Sequence, residues 1–149
     1  MSNPGKIYLI PTPIGDTAVY DCTPEYNKNI ISSLDYFIVE NIRSARRFLS
    51  KAGVGKPIDS LEFAELNEHT DKATIGNIIA PVIAGRDAGI ISEAGVPAVA
   101  DPGADIVAIA HRNGIEVIPL VGPSSIILAV MASGMNGQSF AFNGYLPVK

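Results

Sequence analysis

Short apolar runs typical of buried strands alternate along this chain with stretches of helical periodicity. The strand-like runs are residues 6–10, 36–40, 60–66, 88–92 and 116–121. Between them, apolar residues recur every three or four positions, as a helix with one buried face requires. Neighbouring parallel strands need a crossover connection, which is usually a helix. The alternation therefore predicts an α/β fold, a five-stranded parallel sheet with helices on both of its faces.

Capping residues define where the predicted helices begin and end. Thr23 is a good N-cap with Pro24 in the first turn, so a helix is expected from there to Leu34. A second helix is expected to start at Thr70 and to end near Gly85. The other predicted helices are residues 42–52, 104–112 and 126–133, and residues 140–146 are expected to form a last strand.

Loops rich in proline and glycine follow the first, fourth and fifth predicted strands. These loops comprise residues 12–16, 92–103 and 122–125. In an open parallel sheet, ligands bind in the crevice beyond the carboxyl ends of the strands. The three loops are therefore expected to line a single crevice and to form its ligand-binding walls.

The composition excludes several classes of protein. The net charge of −4 and the pI near 5.0 argue against nucleic-acid binding by overall charge, although they allow a local basic patch. A single cysteine, Cys22, excludes an internal disulfide, and His69 and His111 lack partners at metal-ligand spacing, so no metal is expected. No secretion signal or membrane-spanning run is evident, which predicts a cytoplasmic protein without a membrane partner.

Two familiar nucleotide-binding motifs are excluded. Residues 53–56, G-V-G-K, do not form a phosphate-binding P-loop, because Ser50 stands where the first glycine belongs and Pro57 replaces the serine or threonine that binds magnesium. The sequence also contains no G-x-G-x-x-G, so the dinucleotide fingerprint is absent.

Two groups of polar residues have both a structural and a functional interpretation. Ser124 and Ser125 stand at a predicted helix start, where a hydroxyl caps the helix or the free amides bind an anion. Arg43, Arg46 and Arg47 are spaced to lie on one side of a helix, as a solvated face or as contacts to a negatively charged ligand.

Taken together, the three loops resemble the signature of a known enzyme family. They read P-T-P-I-G-D at residues 11–16, S-E-A-G-V-P at 92–97 with D-P-G at 101–103, and G-P-S-S at 122–125. This ordered set resembles the tetrapyrrole methylase superfamily of S-adenosylmethionine-dependent methyltransferases. It is most similar to the branch that methylates a cytidine ribose 2′-oxygen in small-subunit ribosomal RNA, whose G-F-L-P resembles G-Y-L-P at residues 144–147.

Departures from that branch keep other functions open. The chain has E-N-I-R at residues 40–43 and A-E-L-N-E at 64–68, where the branch usually has E-D-T-R and H-[DE]-H-N-E. One alternative is methylation of a small molecule such as a tetrapyrrole, although that branch tends to have a G-x-G-P-G-D first loop. The other is a non-catalytic module that binds a nucleotide-like ligand or a partner.

The resemblance implies a two-domain enzyme with the cofactor in the cleft between the domains. Residues 1–121 would form the N-terminal parallel-sheet domain. Residues 122–149 would carry only the first helix and strand of a second, truncated α/β domain. An exposed half-cleft of this kind predicts self-association, so a homodimer is expected.

The resemblance also implies which residues bind and react. S-adenosylmethionine would be recognised mainly through main-chain groups, because glycine admits close approach and proline keeps the loops rigid. A ribose hydroxyl acceptor would benefit from a general base, for which Glu40, Glu93 and Asp101 are the candidates. Arg43, Arg46 and Arg47 would contact RNA phosphates. The expected cofactor contacts are Pro13, Gly15, Ala94, Gly95, Val96, Ser124 and Ser125.

Overall fold

A computed structural model describes residues 3–148 and contains a five-stranded, all-parallel sheet. From one edge to the other, its strands are Glu62–Glu65, Tyr36–Val39, Ala88–Ile91, Ile7–Ile10 and Val117–Pro119. Residues 1, 2 and 149, which the predicted domain ranges include, lie outside the described residues. The parallel sheet confirms the α/β prediction. The strands are β1 (Ile7–Ile10), β2 (Tyr36–Val39), β3 (Glu62–Glu65), β4 (Ala88–Ile91) and β5 (Val117–Pro119).

Helices cover both faces of the sheet, as the periodicity predicts. Because side chains alternate along a strand, Ile38 and Ile90 face one buried cluster, while Phe37 and Ile91 face another. The first cluster packs against the helices Lys72–Ile83 and Gly103–Arg112, and the second packs against Tyr26–Ser33 and Ile42–Ala52. The helices are α1 (Val19–Cys22), α2 (Tyr26–Ser33), α3 (Ile42–Ala52), α4 (Lys72–Ile83), α5 (Gly103–Arg112) and α6 (Ser125–Ala132), with a 3₁₀ turn at Ile58–Ser60.

The predicted helix start at Thr23 is wrong. The Thr23 hydroxyl donates a 2.6 Å hydrogen bond to the Val19 carbonyl, which closes the separate one-turn helix α1. A threonine hydroxyl can satisfy a carbonyl four residues earlier as readily as it caps a following helix, and here the former occurs. The next helix, α2, therefore begins only at Tyr26.

The predicted strand at residues 140–146 is also wrong. These residues have no regular secondary structure. Gly144 has a φ of +88°, whereas a strand requires a strongly negative φ. Just before this segment, all eight residues of α6 are exposed or half-buried, although most of them are apolar. Among the described residues, no helix combines the length and apolar character needed to cross a bilayer.

Candidate functional site

The loops that follow β1 and β4 are joined by a short antiparallel bridge. The Thr12 amide donates to the Gly95 carbonyl at 3.0 Å, and the Gly95 amide donates back to the Thr12 carbonyl at 3.1 Å. The buried Ser92 hydroxyl donates to the same Gly95 carbonyl at 2.6 Å. These bonds fix the two loops against each other at the carboxyl edge of the sheet.

The loop after β5 packs against the other two. A Cβ built on Gly122 would lie 2.2 Å from Pro11, and one built on Gly95 would lie 3.1 Å from the Pro123 carbonyl oxygen. The buried Asn27 side chain of α2 donates a 2.9 Å hydrogen bond to the Val121 carbonyl, which ties the start of this loop to α2. The structure thus brings all three loops to the carboxyl edge of the sheet, where the sequence predicts a crevice.

A cleft of about 210 Å³ opens between the second and third loops. This volume is smaller than the roughly 300–1,000 Å³ that pockets for drug-sized ligands enclose. Glu40, which follows β2, contributes from the neighbouring strand end. The lining residues are Glu40, Glu93, Ala94, Gly95, Val96, Val99, Ala100, Asp101, Ser124, Ser125, Ile126 and Tyr145.

The structure brings together most of the site residues expected from the sequence, but not all. Pro13 and Gly15 line a neighbouring groove of about 130 Å³ instead of the cleft, and Glu93 lines both. The residues that do line the cleft are Ala94, Gly95, Val96, Ser124 and Ser125, together with the three carboxylates of Glu40, Glu93 and Asp101.

The three arginines of α3 have different surroundings. Arg46 pairs with Asp59, and Arg43 is exposed. Arg47 lines the neighbouring groove, together with Lys51 one turn further along the helix. Arg46 is thus paired within the chain, while Arg43 and Arg47 remain exposed.

Two of the expected cofactor contacts already have structural roles. The amide and the carbonyl of Gly95 both form hydrogen bonds with the backbone of Thr12. The Ser124 hydroxyl accepts a long, 3.4 Å hydrogen bond from the Ile127 amide, so it caps α6. A ligand in the cleft would therefore meet Gly95 through its Cα, where the lack of a side chain leaves room.

Asp101 braces the long loop after β4. Its Oδ1 accepts hydrogen bonds from the Gly103 amide at 2.7 Å and the Ala98 amide at 3.2 Å. Ala98 and Ala100 have φ values of +68° and +52°, a conformation that costs a residue with a side chain about 1–3 kcal/mol. The Asp101 carboxylate holds the loop in this strained shape, which places Ala100 in the cleft wall.

Replacing Asp101 by alanine is expected to relax the loop. The loss of a carboxylate that caps helix-start amides typically costs about 0.5–2 kcal/mol, and release of the strained Ala98 would make the loop mobile. We expect a lower melting temperature and faster exchange of the Ala98 and Gly103 amides. Asp71→Ala is the matched control, since Asp71 caps α4 through the Thr74 amide at 2.7 Å and does not line the cleft. Unchanged exchange at Gly103 in Asp101→Ala would contradict the bracing role.

Glu40, like Asp101, is a half-buried carboxylate of the cleft. Burial raises its pKa above the ordinary value, and the nearby negative charges of Asp101, Glu93 and Glu68 raise it further. Ionised Glu40 is therefore less favourable in the folded chain than in the unfolded chain.

The raised pKa of Glu40 predicts how the stability of the chain changes with pH. Above the ordinary carboxyl pKa of 4.5, the unfolded chain releases the Glu40 proton while the folded chain still retains it. The Glu40 contribution to the free energy of unfolding therefore falls as pH rises from 4.5 to the raised pKa. We expect Glu40→Gln to gain stability relative to the parent chain over that window, measured by urea unfolding. The exposed Glu65 provides the control Glu65→Gln. A pH-independent difference between Glu40→Gln and the parent would contradict the shift.

Sequence reasoning missed several residues that line the cleft or the groove. Val99 and Ala100 enter the cleft because of the positive φ values around them, which alanine rarely adopts and no sequence pattern signals. Tyr145 was expected in a strand but lines the cleft, in edge-to-face contact with Phe142 at 5.3 Å between ring centroids. Lys51 could have been found from its position four residues after Arg47.

The fold and the site define a class of protein: a parallel α/β sheet with a ligand cleft at the carboxyl edge of its strands. No family model matches the chain. The chain is 33% identical over all of its 149 residues to ribosomal RNA small subunit methyltransferase I of Xylella fastidiosa, and it covers 52% of that protein. It is 35% identical over 143 residues to the protein of the same name from Thermotoga maritima, with 96% of the chain and 61% of the relative covered.

The match to the Escherichia coli O157:H7 protein of this name is 31% identical over 145 residues and covers 97% of the chain and 48% of the relative. The chain is thus a homologue of the ribosomal RNA small subunit methyltransferase I proteins, which confirms the resemblance to the tetrapyrrole methylase superfamily. It spans about half the length of the curated relatives it matches.

Proposed function

We propose that this chain is part of an S-adenosylmethionine-dependent methyltransferase that acts on the ribose 2′-oxygen of small-subunit ribosomal RNA. The observation that carries the proposal is the cleft between the second and third loops, braced by the bridge from the first loop, in a chain whose relatives are named ribosomal RNA methyltransferases. Such an enzyme would work in the cytoplasm, where it meets ribosomal RNA.

The charges of the cleft favour a cationic cofactor. Glu40, Glu93 and Asp101 all line the cleft. Carboxylates attract the sulfonium and ammonium groups of S-adenosylmethionine and repel the phosphates of an ordinary nucleotide. The residues present therefore fit this cofactor better than a phosphate-bearing ligand.

Positioning would provide much of the catalysis. The bound cofactor supplies an activated methyl group. The loops of the chain would hold the cofactor and the acceptor oxygen in line, and well-oriented reactants are worth roughly 7–11 kcal/mol of barrier. The backbone bridge between Thr12 and Gly95 gives the loops the rigidity that this positioning requires.

Among the three carboxylates, Glu40 is best placed to act as the general base. Asp101 is committed to the amides of Ala98 and Gly103, and Glu93 is exposed between the cleft and the groove. Glu40 is half-buried, and burial raises its pKa above the ordinary value, the direction that makes a carboxylate a stronger base. Glu40 would accept the proton of the ribose hydroxyl.

The division of the chain near residue 121 is part of the proposal. Among the described residues, the buried hydrophobic core ends at Ile115, and none of the core residues comes from position 122 onward. We propose that residues 122–149 start a second domain that packs against the first across the cleft.

The exposed apolar surface of α6 also supports self-association. Met131 is 72% exposed, and Ile127 and Leu128 on the same helix are about half-exposed. A contiguous apolar patch of this kind is unusual on a monomer. We propose a homodimer, and expect light scattering to give twice the chain mass for the parent and a smaller mass for Ile127→Glu/Met131→Glu. A monomeric parent would contradict it.

Calorimetric titration with S-adenosylhomocysteine tests cofactor binding. We expect heat of binding with this ligand and none with ATP, because the cleft carboxylates repel phosphate. Ala94→Trp, which fills the cleft, should weaken binding more than tenfold, a loss of about 1.4 kcal/mol or more. Ala104→Trp places the same side chain at an exposed site outside the cleft and should leave binding unchanged. Equal binding of ATP, or no effect of Ala94→Trp, would contradict the proposal.

A further inference from the structure

We propose that the groove beside residues 12–17 binds a phosphate group of the acceptor RNA through Arg47 and Lys51. The inference rests on the proposed function in one respect, that the acceptor is RNA. The groove lies next to the cleft and would have a separate role, because it would hold the RNA backbone while the neighbouring ribose enters the cleft.

The two basic side chains are placed together by α3. Arg47 and Lys51 are four residues apart, so they lie on the same face of the helix, and both line the groove. Between them in sequence, Phe48 is buried in the core and also lines the groove, which anchors this turn of the helix. The opposite wall is the loop of Pro13, Gly15 and Thr17.

The charge of Lys51 is available to a ligand. Its ammonium lies 4.0 Å from the Asp16 carboxylate, and both side chains are largely exposed to solvent. An exposed pair at this distance is weak, so a phosphate can replace Asp16 at little cost. Arg46, by contrast, already pairs with Asp59. The basic face available for RNA is therefore Arg47 and Lys51, with the exposed Arg43 one turn before them.

The position of the groove suits an RNA acceptor. Glu93 lines both the groove and the cleft, so the two are adjacent across one residue. Because the chain carries a net charge of −4, a local basic pair is distinct from the rest of the surface and can orient an approaching polyanion. Phosphate contacts of this kind fix the register of the nucleic acid without reading its sequence.

The test is a binding titration of a short single-stranded RNA, followed by fluorescence anisotropy at several salt concentrations. We expect Arg47→Gln/Lys51→Gln to weaken RNA binding about tenfold and to reduce the slope of log K against log salt by about 0.7, the contribution of the one phosphate contact that the two side chains share.

The matched control removes two positive charges from the other face of the sheet. Lys72 and Arg112 line a groove between α4 and α5, so Lys72→Gln/Arg112→Gln changes the net charge equally. This control should keep both the affinity and the salt slope of the parent. Thermal unfolding of each variant confirms that it is folded.

The outcomes separate this inference from the proposed function. The inference is overturned if the two double variants bind RNA equally, or if the folded parent does not bind RNA at all. Titration of the same samples with S-adenosylhomocysteine reports on the cofactor cleft independently, and it should be unaffected in both variants. Failure of the parent chain to bind S-adenosylhomocysteine would instead count against the proposed function.

Discussion

Replacing Gly122 by alanine is expected to push the third loop off the cleft and to abolish binding of S-adenosylhomocysteine. The added Cβ would lie 2.2 Å from both Cβ and Cγ of Pro11, far inside van der Waals contact. Pro11 is fully buried and its ring is rigid, so the loop of Gly122 has to move instead. Overpacking of this kind costs about 1–3 kcal/mol. The displacement would carry Ser124 and Ser125 out of the cleft wall.

Gly5→Ala is the control for this substitution. A Cβ on Gly5 would lie 2.1 Å from the Arg86 carbonyl oxygen, an equally severe overlap, but before the start of β1, at the other end of the strand from Pro11. We expect both variants to melt at lower temperature. At a temperature where both are folded, only Gly122→Ala should fail to bind in a calorimetric titration. Equal binding by the two variants would show that the third loop does not shape the cofactor site.

Replacing Glu40 by glutamine is expected to slow methyl transfer severely, with a much smaller effect on cofactor binding. A general base typically contributes a factor of about 10²–10⁴ to the rate. Glutamine keeps the size of the side chain but cannot accept the ribose hydroxyl proton. Transfer of a labelled methyl group to small-subunit ribosomal RNA, measured in single-turnover experiments, reports the loss.

The pH profile distinguishes a base from a merely structural residue. The rate of the parent should rise with pH through the raised pKa of Glu40, because the ionised form is the reactive one. This rise should be missing from the residual activity of Glu40→Gln and unchanged in Glu65→Gln, whose carboxylate lies exposed at the end of β3. A residual Glu40→Gln activity with the parental pH profile would exclude Glu40 as the base.

The sheet could be predicted because its signals are local. Each strand is a short apolar run bounded by loop residues, and the order of strands and helices alone implies a parallel arrangement with a common loop edge. Thr23 shows where local signals fail. Its hydroxyl could accept a hydrogen bond from an amide of the following helix or donate one to a carbonyl of the preceding turn, and the structure has the bond to the Val19 carbonyl. Residues 140–146 have strand-like composition, but the positive φ of Gly144 is incompatible with a strand.

The meeting of the loops could be predicted, but the roles within the site could not. The sequence offered Glu40, Glu93 and Asp101 as equivalent carboxylates. The hydrogen bonds that Asp101 accepts and the raised pKa of Glu40 separate the loop brace from the candidate base. Pro13 and Gly15 belong to the expected loop, yet the Thr12–Gly95 bridge directs the tip of that loop to the neighbouring groove.

Amide hydrogen exchange, measured with and without S-adenosylhomocysteine, tests the central claim most directly. If the second and third loops form the walls of one cofactor cleft, the ligand should slow exchange in residues 93–100 and 122–126 together, and should leave α4 and the groove between α4 and α5 unchanged. Protection confined to a single loop, or located only outside these loops, would contradict the account.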